Sequence, residues 1–188
     1  MSALPTFSDR VRENAQCIAE SGAAALSGLY DLTSMRLVRF SVTITRNQHD
    51  AEDAVQAVLV RVAGSPNLLS RASSPWSYLL QMVRNESLVI LRKKRRGTTV
   101  SDLTDLLTRR TVDEIEKEES YRAIWLAIRT LPIDQREVVV LKIWEEMTFL
   151  QISEVLAIPP ATAASRYRYA MQKLAIELRA QSVEVTHE

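Results

Sequence analysis

The sequence predicts an all-α protein made of two small helical domains joined by a flexible linker. Helix-breaking residues are scarce, because only 4 Gly and 6 Pro occur among 188 residues. Apolar residues recur every three or four positions over long stretches, which is the spacing of one face of a helix. Near the carboxyl end, two short helical patterns, a proline-containing turn and a third helical pattern follow one another, as in a helix-turn-helix.

The charge distribution supports the division into two domains. Hydrophobic residues make up 46% and charged residues 25%, so apolar material for a core is present. The net charge is only +1, yet residues 1–96 carry 13 Lys/Arg against 8 Asp/Glu, and residues 97–119 carry 3 against 7. Residues 120–188 carry 8 of each. A basic part, an acidic part and a balanced part indicate two modules with a linker between them.

Residue types that support catalysis or metal binding are sparse. The single cysteine, Cys17, allows no intramolecular disulfide and no multi-cysteine zinc site, and we interpret it as a small half-buried residue. Neither His49 nor His187 lies in a metal-spaced cluster, and no Gly-rich phosphate loop occurs. We therefore expect no enzymatic activity, no cofactor and no metal. No membrane span or secretory signal is expected either, which favours a cytoplasmic protein.

The helical patterns divide the chain into five segments. Residues 1–22 are expected to form a frayed or weakly helical lead-in, and residues 23–96 the first module. Residues 97–119 are expected to be an acidic linker, either a flexible tether or partly helical and docked. Residues 120–180 are expected to form the second module, followed by a tail over residues 181–188.

Three helices are predicted in the first module. The first begins near Ala23, and its apolar face contains Leu26, Leu29, Tyr30, Leu37, Phe40, Ser41 and Ile44. Asp50 has the position of an N-cap, with Asp53 three residues later, and predicts a helix over residues 51–63 that stacks Val55, Val58, Leu59 and Val62. After a loop over residues 68–72, the third helix spans residues 76–95, with a core face of Leu79, Leu80, Val83, Leu88 and Leu91.

The second module contains the predicted helix-turn-helix. Its opening helix presents Ile124, Trp125, Ile128 and Leu131 and stops at Pro132. Asp134 with Glu137, and Thr148 with Gln151, have the spacing of capping pairs that begin the next two helices. A turn at Ala157-Ile158-Pro159 leads to Pro160, which suits the first position of a helix. The inward face of that helix contains Ala163, Tyr167, Ala170, Leu174 and Leu178, and the outward face contains Ala161, Ala164, Ser165, Arg168, Tyr169 and Gln172, flanked by Arg166 and Lys173.

With these motifs the chain resembles the extracytoplasmic-function class of bacterial RNA polymerase sigma factors, over about residues 24–96 and 120–178. The segment Leu131-Pro132 to Leu174 is similar to the family's promoter-distal helix-turn-helix. The segment Asp50 to Gln56 is similar to its polymerase-binding helix, and Trp76 to Arg96 to its promoter-melting helix. The resemblance implies a subunit that confers promoter recognition on the polymerase and has no catalytic residues of its own.

The resemblance implies specific roles for the first module. A polar set, Asp50, Glu52, Asp53 and Gln56, is expected to face the clamp helices of the polymerase's largest subunit, because acidic faces pair with basic partners. The same residues would also suit an ordinary solvated helix start. Melting of the minus-ten element is expected to use the loop over residues 67–74 and the set Trp76, Tyr78, Arg84, Asn85, Arg92, Lys93, Lys94, Arg95 and Arg96. Core packing of Trp76 and Tyr78, and a solvated basic helix end, are the alternatives.

The second module is expected by resemblance to read the minus-thirty-five element and to contact the polymerase flap. The candidate DNA-binding residues are Thr162, Ser165, Arg166, Arg168, Tyr169, Gln172 and Lys173. The helix departs from the family pattern, with Ala164, Tyr169 and Met171 at positions where cations are common. Fewer outward cations weaken phosphate and guanine contacts, so we expect an unusual element or a lower affinity.

Two other functions are compatible with the same patterns. A stand-alone helix-turn-helix regulator would carry a sensor domain in residues 1–96 and bind duplex DNA without polymerase. A polymerase-binding decoy would bind the enzyme without promoter activity. The resemblance favours a cytoplasmic, nucleoid-associated sigma factor whose partners are core polymerase, promoter DNA and an anti-sigma factor.

Overall fold

The computed structural model describes residues 4–97 and 119–184, and the regular elements within those ranges are helical. The chain divides into two compact units, residues 1–101 and 102–188. The prediction of an all-α protein with two helical domains is confirmed. Most of the predicted linker, residues 97–119, lies outside the described residues, as do the side chain of Arg96 and the end of the predicted tail. No described helix has both the length and the apolar character needed to cross a membrane.

The first unit is built around three mutually packed helices. Its elements are α1 (Phe7–Ser21), a 3-10 turn (Gly22–Ala25), α2 (Leu26–Thr45), α3 (Gln48–Gly64), α4 (Asn67–Ser70) and α5 (Pro75–Gly97). Helices α2, α3 and α5 pack against one another. Most of the predicted core is buried there, including Leu29, Leu37, Phe40, Ser41, Ile44, Val55, Val58, Leu59, Val62, Leu79, Leu80 and Val83. On the predicted face of α2, Leu26 is only half-buried and Tyr30 is 53% exposed.

A pair of buried hydroxyl groups joins α2 to α5. The side-chain oxygens of Ser41 and Ser87 lie 2.7 Å apart, and Ser87 Oγ also donates to the carbonyl of Val83 at 2.7 Å. Because the hydroxyl proton of Ser87 is used in the bond to the Val83 carbonyl, the hydroxyl of Ser41 must donate to Ser87. Both hydroxyls are therefore satisfied inside the core, as buried polar groups in native proteins generally are.

The structure corrects the prediction for residues 1–22, which do not form a weakly ordered lead-in where they are described. Thr6 begins α1 with a capping box, in which its side chain accepts from the Asp9 amide and the Asp9 side chain accepts from the Thr6 amide. Val11, Ala15 and Ile18 are completely buried along one face of α1. Helix α1 therefore belongs to the core of the first unit and packs on α2, α4 and α5.

The second unit is organised around its last helix. It contains α6 (Glu119–Thr130), α7 (Ile133–Ile143), α8 (Phe149–Leu156) and α9 (Pro160–Glu184). Helices α6, α7 and α8 all pack on α9. The buried side chains include Trp125, Ile128, Leu131, Val138, Leu141, Ile152, Leu156, Ala163, Ala170 and Leu174. Trp125 also stacks on Trp144, with ring centroids 4.9 Å apart, which ties α6 to the end of α7.

Local signals in the second unit fix the geometry of the turn before α9. The capping box predicted for Thr148 and Gln151 is confirmed, with the Thr148 amide donating to Gln151 Oε1 at 2.8 Å. Ala157 ends α8 in the left-handed conformation, with a φ of 54°, and Pro160 is the first residue of α9. The predicted N-cap at Asp134 is wrong. Pro132, two residues earlier, is the N-cap residue of α7, and Asp134 lies within the first turn of the helix.

Candidate functional site

The acidic segment of α3 presents a polar face to solvent. Asn47, rather than Asp50, caps the helix, since its Oδ1 accepts from the Asp50 amide at 3.0 Å. Glu52 is half exposed and accepts from Gln48 Nε2 at 2.7 Å, which holds its carboxylate along the helix surface. Asp53 and Gln56 are exposed one turn further on. The opposite face of α3 is buried, so this polar face is available to a partner.

Asp50 is oriented differently from the rest of the expected polymerase-binding set. The residue is only 8% exposed, and its Oδ2 lies 2.8 Å from Lys94 Nζ near the end of α5. Because the helix starts at Gln48, the Asp50 side chain turns toward α5 instead of toward solvent. The expectation that Asp50 faces a partner is corrected to an internal ion pair between α3 and α5.

The basic end of α5 carries a row of exposed cations. Arg92, Lys93, Lys94 and Arg95 are all exposed on the last turns of the helix. Arg92 Nε donates back to the carbonyl of Leu88 at 3.1 Å, which holds its side chain along the helix. Cations at a helix carboxyl end are favoured by the helix dipole and can bind phosphate groups.

Trp76 is part of the core rather than an exposed stacking platform. It is 3% exposed, and its ring meets Phe7 edge-on, with centroids 4.9 Å apart and planes at 78°. The Arg36 guanidinium lies 3.9 Å from the Phe7 ring centroid and 6.0 Å from that of Trp76. Of the neighbouring predicted residues, Tyr78 and Arg84 are half-buried and Asn85 is exposed. Core packing, the alternative considered for Trp76, is the arrangement in the structure.

The segment before α5 is more ordered than the loop predicted there. Residues Asn67–Ser70 form the single helical turn α4, with Leu69 completely buried. Ser74 leads into α5 and its Oγ lies 2.9 Å from Ser77 Oγ. Arg12 Nη2, from α1, donates to the carbonyl of Ser73 at 2.9 Å. The segment is therefore fixed at its buried end and again just before α5.

The outward face of α9 combines exposed and partly buried candidates. Arg168, Tyr169, Gln172 and Lys173 are exposed, whereas Thr162, Ser165 and Arg166 are half-buried. The Arg168 guanidinium lies 5.3 Å from the centroid of the Tyr169 ring.

Arg166 faces back toward α7, and Ser165 bonds within its own helix. Arg166 Nε lies 3.4 Å from Asp134 Oδ2 of α7, and the Arg166 side chain is 29% exposed. Ser165 Oγ donates to the carbonyl of Thr162 at 3.0 Å. The exposed groups of this face are therefore Arg168, Tyr169, Gln172 and Lys173.

In the first unit, three residues around Trp76 and the segment before α5 were not identified from the sequence: Phe7, Arg12 and Arg36. The signal that could have identified α1 is the Thr6-x-x-Asp9 spacing of its capping box. No local signal identifies Arg36 as the partner of two rings, because that contact joins α2 to both α1 and α5.

Two family descriptions match this chain at the two units. Sigma-70 region 2 matches residues 29–97, and Sigma-70, region 4 matches residues 121–174. The first match covers α2 to α5, including the acidic face and the basic end. The second covers most of α6, all of α7 and α8, and the part of α9 that carries Arg168 and Lys173. Together they span more than half of the chain in the order expected.

Relatives and solved structures agree with this assignment. The chain is 27% identical to the ECF RNA polymerase sigma factor SigL of Mycobacterium tuberculosis over 164 residues, 86% of this chain and 93% of the relative. It is 23% identical to the ECF RNA polymerase sigma factor SigW of Bacillus subtilis over 183 residues, 90% of this chain and 97% of the relative.

The fold is similar to two structures solved as complexes. One is the sigma factor RpoE with the anti-sigma factor NepR from Bartonella quintana, with a TM-score of 0.68 and 21% identity over 80% of this chain and 94% of the other. The second is CnrH with the cytosolic domain of CnrY, with a TM-score of 0.64 and 19% identity over 92% of this chain and 99% of the other. The family matches show that this chain belongs to the sigma-70 RNA polymerase sigma factors, and its relatives named above are of their extracytoplasmic-function class: the chain binds core RNA polymerase, recognises promoter DNA and initiates transcription.

Proposed function

We propose that the first unit docks on the polymerase through the exposed polar face of α3. Glu52, Asp53 and Gln56 carry this contact, with the basic clamp helices of the largest subunit as the partner. The support is their exposure on a helix whose other face is buried. Asp50 acts indirectly, since its ion pair with Lys94 fixes α3 against α5. Charge complementarity then orients the encounter and favours a single register.

We propose that the same unit opens the minus-ten element. An unstacked base needs an apolar or aromatic surface beside cations that hold its phosphates. Residues 67–74, with Tyr78, Arg84 and Asn85 on α5, supply the surface. The exposed cations Arg92, Lys93 and Arg95 supply the phosphate contacts, since Lys94 is paired with Asp50. Trp76 supports this surface from inside instead of stacking on DNA.

The second unit is proposed to bind the minus-thirty-five element as duplex, through α9. Arg168, Tyr169 and Gln172 are presented for base edges, with Lys173 at the phosphate backbone. Arg166 contributes mainly through Asp134, which fixes α9 on α7. The face offers few cations, which supports a modest contribution of this unit to promoter affinity.

The location and the further partners of the chain follow from the same proposal. The chain works in the cytoplasm on the nucleoid as a subunit without a catalytic group of its own, and the polymerase supplies the chemistry. The two solved relatives were captured with an anti-sigma factor and with a cytosolic domain of CnrY, which supports an anti-sigma partner here as well. In the second unit, a further contact with the polymerase flap is proposed.

The observation that carries the proposal is that each unit presents exposed cations of its own, at the end of α5 in the first unit and at Arg168 and Lys173 of α9 in the second. The experiment combines the purified chain with core polymerase and a random promoter library and measures run-off RNA. Transcripts that share two sequence elements are the expected result. Stable polymerase binding with no transcript from any template indicates a decoy. Duplex binding that core polymerase leaves unchanged indicates a stand-alone regulator.

A further inference from the structure

The segment that precedes α5 is held by α1, a helix that lies outside both family matches. Helix α1 packs on α4, and Leu69 of α4 is completely buried. Four residues later, the Ser73 carbonyl accepts from Arg12 Nη2 at 2.9 Å. The two contacts lie on either side of Arg71 and Ala72. The path of the chain through residues 71–73 is therefore set by α1.

Helix α1 also fixes the point at which α5 begins. Phe7 meets Trp76 edge-on, and Arg36 lies against both rings. Trp76 is the second residue of α5, only three positions after Ser73. Aromatic pairs of this geometry are directional as well as apolar, so they restrain orientation and not only distance. The position of Ser73 is thus restrained by Arg12 on its carbonyl and by Phe7 through Trp76.

The backbone of the segment has few bonds of its own. The Ala72 amide donates to the Leu69 carbonyl at 3.0 Å, while the Arg71 amide reaches the Asn67 carbonyl only at 3.4 Å. Arg12 is charged, and a hydrogen bond from a charged donor is stronger than one between neutral groups. It comes from a helix that packs on α2, α4 and α5 and starts with its own capping box. A group on a rigid element is suited to hold a loop in one shape before a ligand arrives.

We propose that Arg12 is a positioning residue for promoter opening. It holds the Ser73 carbonyl so that residues 67–74 keep the shape that receives the unstacked base of the minus-ten element. This inference rests on the proposed function of that segment. Arg12 acts through the backbone of Ser73 and needs no contact with DNA. Its loss loosens the segment and lowers the discrimination between bases at the unstacked position.

The test uses holoenzyme assembled from core polymerase and the full chain. A promoter selected from the random library with the wild-type chain is prepared with each of the four bases at every minus-ten position. Run-off transcription then gives the base preference at each position. Arg12→Ala is compared with Arg12→Lys, which retains a charged donor, and with Arg10→Ala, which removes an exposed cation from the same helix. Thermal unfolding and polymerase affinity are measured for each variant.

Arg12→Ala is expected to reduce the preference at one position by about ten-fold, the factor that corresponds to loss of one charged hydrogen bond. The other positions and the polymerase affinity stay at wild-type values. Arg12→Lys is expected to retain most of the preference, and Arg10→Ala all of it. A uniform loss at every position, or a loss that follows polymerase affinity, overturns the inference because it marks a merely structural role. If Arg12→Ala does not fold, two folded variants decide instead. Full loss of the preference in Arg12→Lys, or no loss of the preference in Arg12→Met, which has no hydrogen-bond donor, overturns the inference.

Two variants of the segment itself separate the inference from the function on which it rests. Asn67 and Arg71 are exposed within the segment, so Asn67→Ala and Arg71→Ala change its surface with little effect on the core. Full preference in both variants overturns the proposed role of the segment. Reduced preference in these variants, with wild-type preference in Arg12→Ala, overturns the positioning role of Arg12 alone.

Discussion

The ammonium nitrogen of Lys94 lies 2.8 Å from Oδ2 of Asp50, which joins the basic end of α5 to the first turn of α3. The Asp50 side chain is 11% exposed and that of Lys94 58%, so the carboxylate is enclosed and the cation reaches it from the surface. One cation of the basic run is thereby neutralised within the protein. The same bond connects the helix proposed to bind polymerase with the helix proposed to open DNA.

Replacement of Asp50 by alanine is expected to lower the free energy of unfolding by about 1–2 kcal/mol. The change removes the ion pair with Lys94 and a negative charge near the amino end of a helix, where it interacts favourably with the helix dipole. Urea unfolding of the full chain, followed by circular dichroism, measures the effect. Asp53→Ala is the matched control, since Asp53 is exposed on the same helix and should change stability by no more than about 0.5 kcal/mol. Equal effects of the two substitutions would contradict the role given to the buried carboxylate.

Replacement of Asp53 by arginine is expected to weaken polymerase binding about ten-fold or more, without unfolding the chain. The substitution puts a like charge opposite a basic partner, and such juxtapositions are costly across an interface. Titration of fluorescently labelled chain with core polymerase measures the affinity. Glu13→Arg makes the same charge reversal at an exposed site on α1 and should leave the affinity unchanged. Wild-type affinity of Asp53→Arg would remove this face of α3 from the interface.

Arg168 and Arg166 are expected to behave differently although they are two positions apart. Arg168→Ala should cost about 1–3 kcal/mol at one base step, as expected for loss of a bidentate base contact. Arg166→Ala should weaken all promoter variants by a similar small factor, because its pairing with Asp134 seats α9 on α7. Holoenzyme binding to a panel of minus-thirty-five variants distinguishes the two. A loss at a single base step for Arg166→Ala, and a uniform loss for Arg168→Ala, would reverse the assignment.

The start of α1 is expected to loosen in acid. Hydrogen bonds from the Thr6 side chain, then from its backbone, lower the pKa of Asp9, and the nearby Arg12 charge adds to the effect. Because the pKa in the folded chain lies below that of the unfolded chain, the carboxylate stabilises α1 above the unfolded value, about pH 4. This contribution is lost as the pH falls through the lower, folded value.

Amide signals of the first turn of α1, followed by NMR between neutral and acid pH, measure this loosening. Asp9→Asn should remove the pH dependence of that turn while sparing α8, whose capping box uses the uncharged Gln151. An unchanged acid response in Asp9→Asn would show that another group controls the turn.

Elements whose signals lie close together along the chain could be predicted from the sequence. The capping box of Thr148 and Gln151 involves residues three positions apart, so the start of α8 is set locally. Pro160 likewise predicts the start of α9, and the helical spacing of Ala163, Ala170 and Leu174 predicts its buried face. The polar face of α3 followed from spacing as well, since the burial of Val55 and Val58 leaves Asp53 outside.

Positions that depend on distant partners could not be predicted in this way. Trp76 has the same local spacing whether it faces DNA or the core, and Phe7 and Arg36 place it inside. Local spacing predicts that the Asp50 carboxylate faces solvent, whereas it is buried beside Lys94 of another helix. Helix formation and capping depend on interactions within a turn or two, and these are encoded in neighbouring residues. Which side chain is enclosed depends on how whole helices pack, and only the tertiary structure decides that.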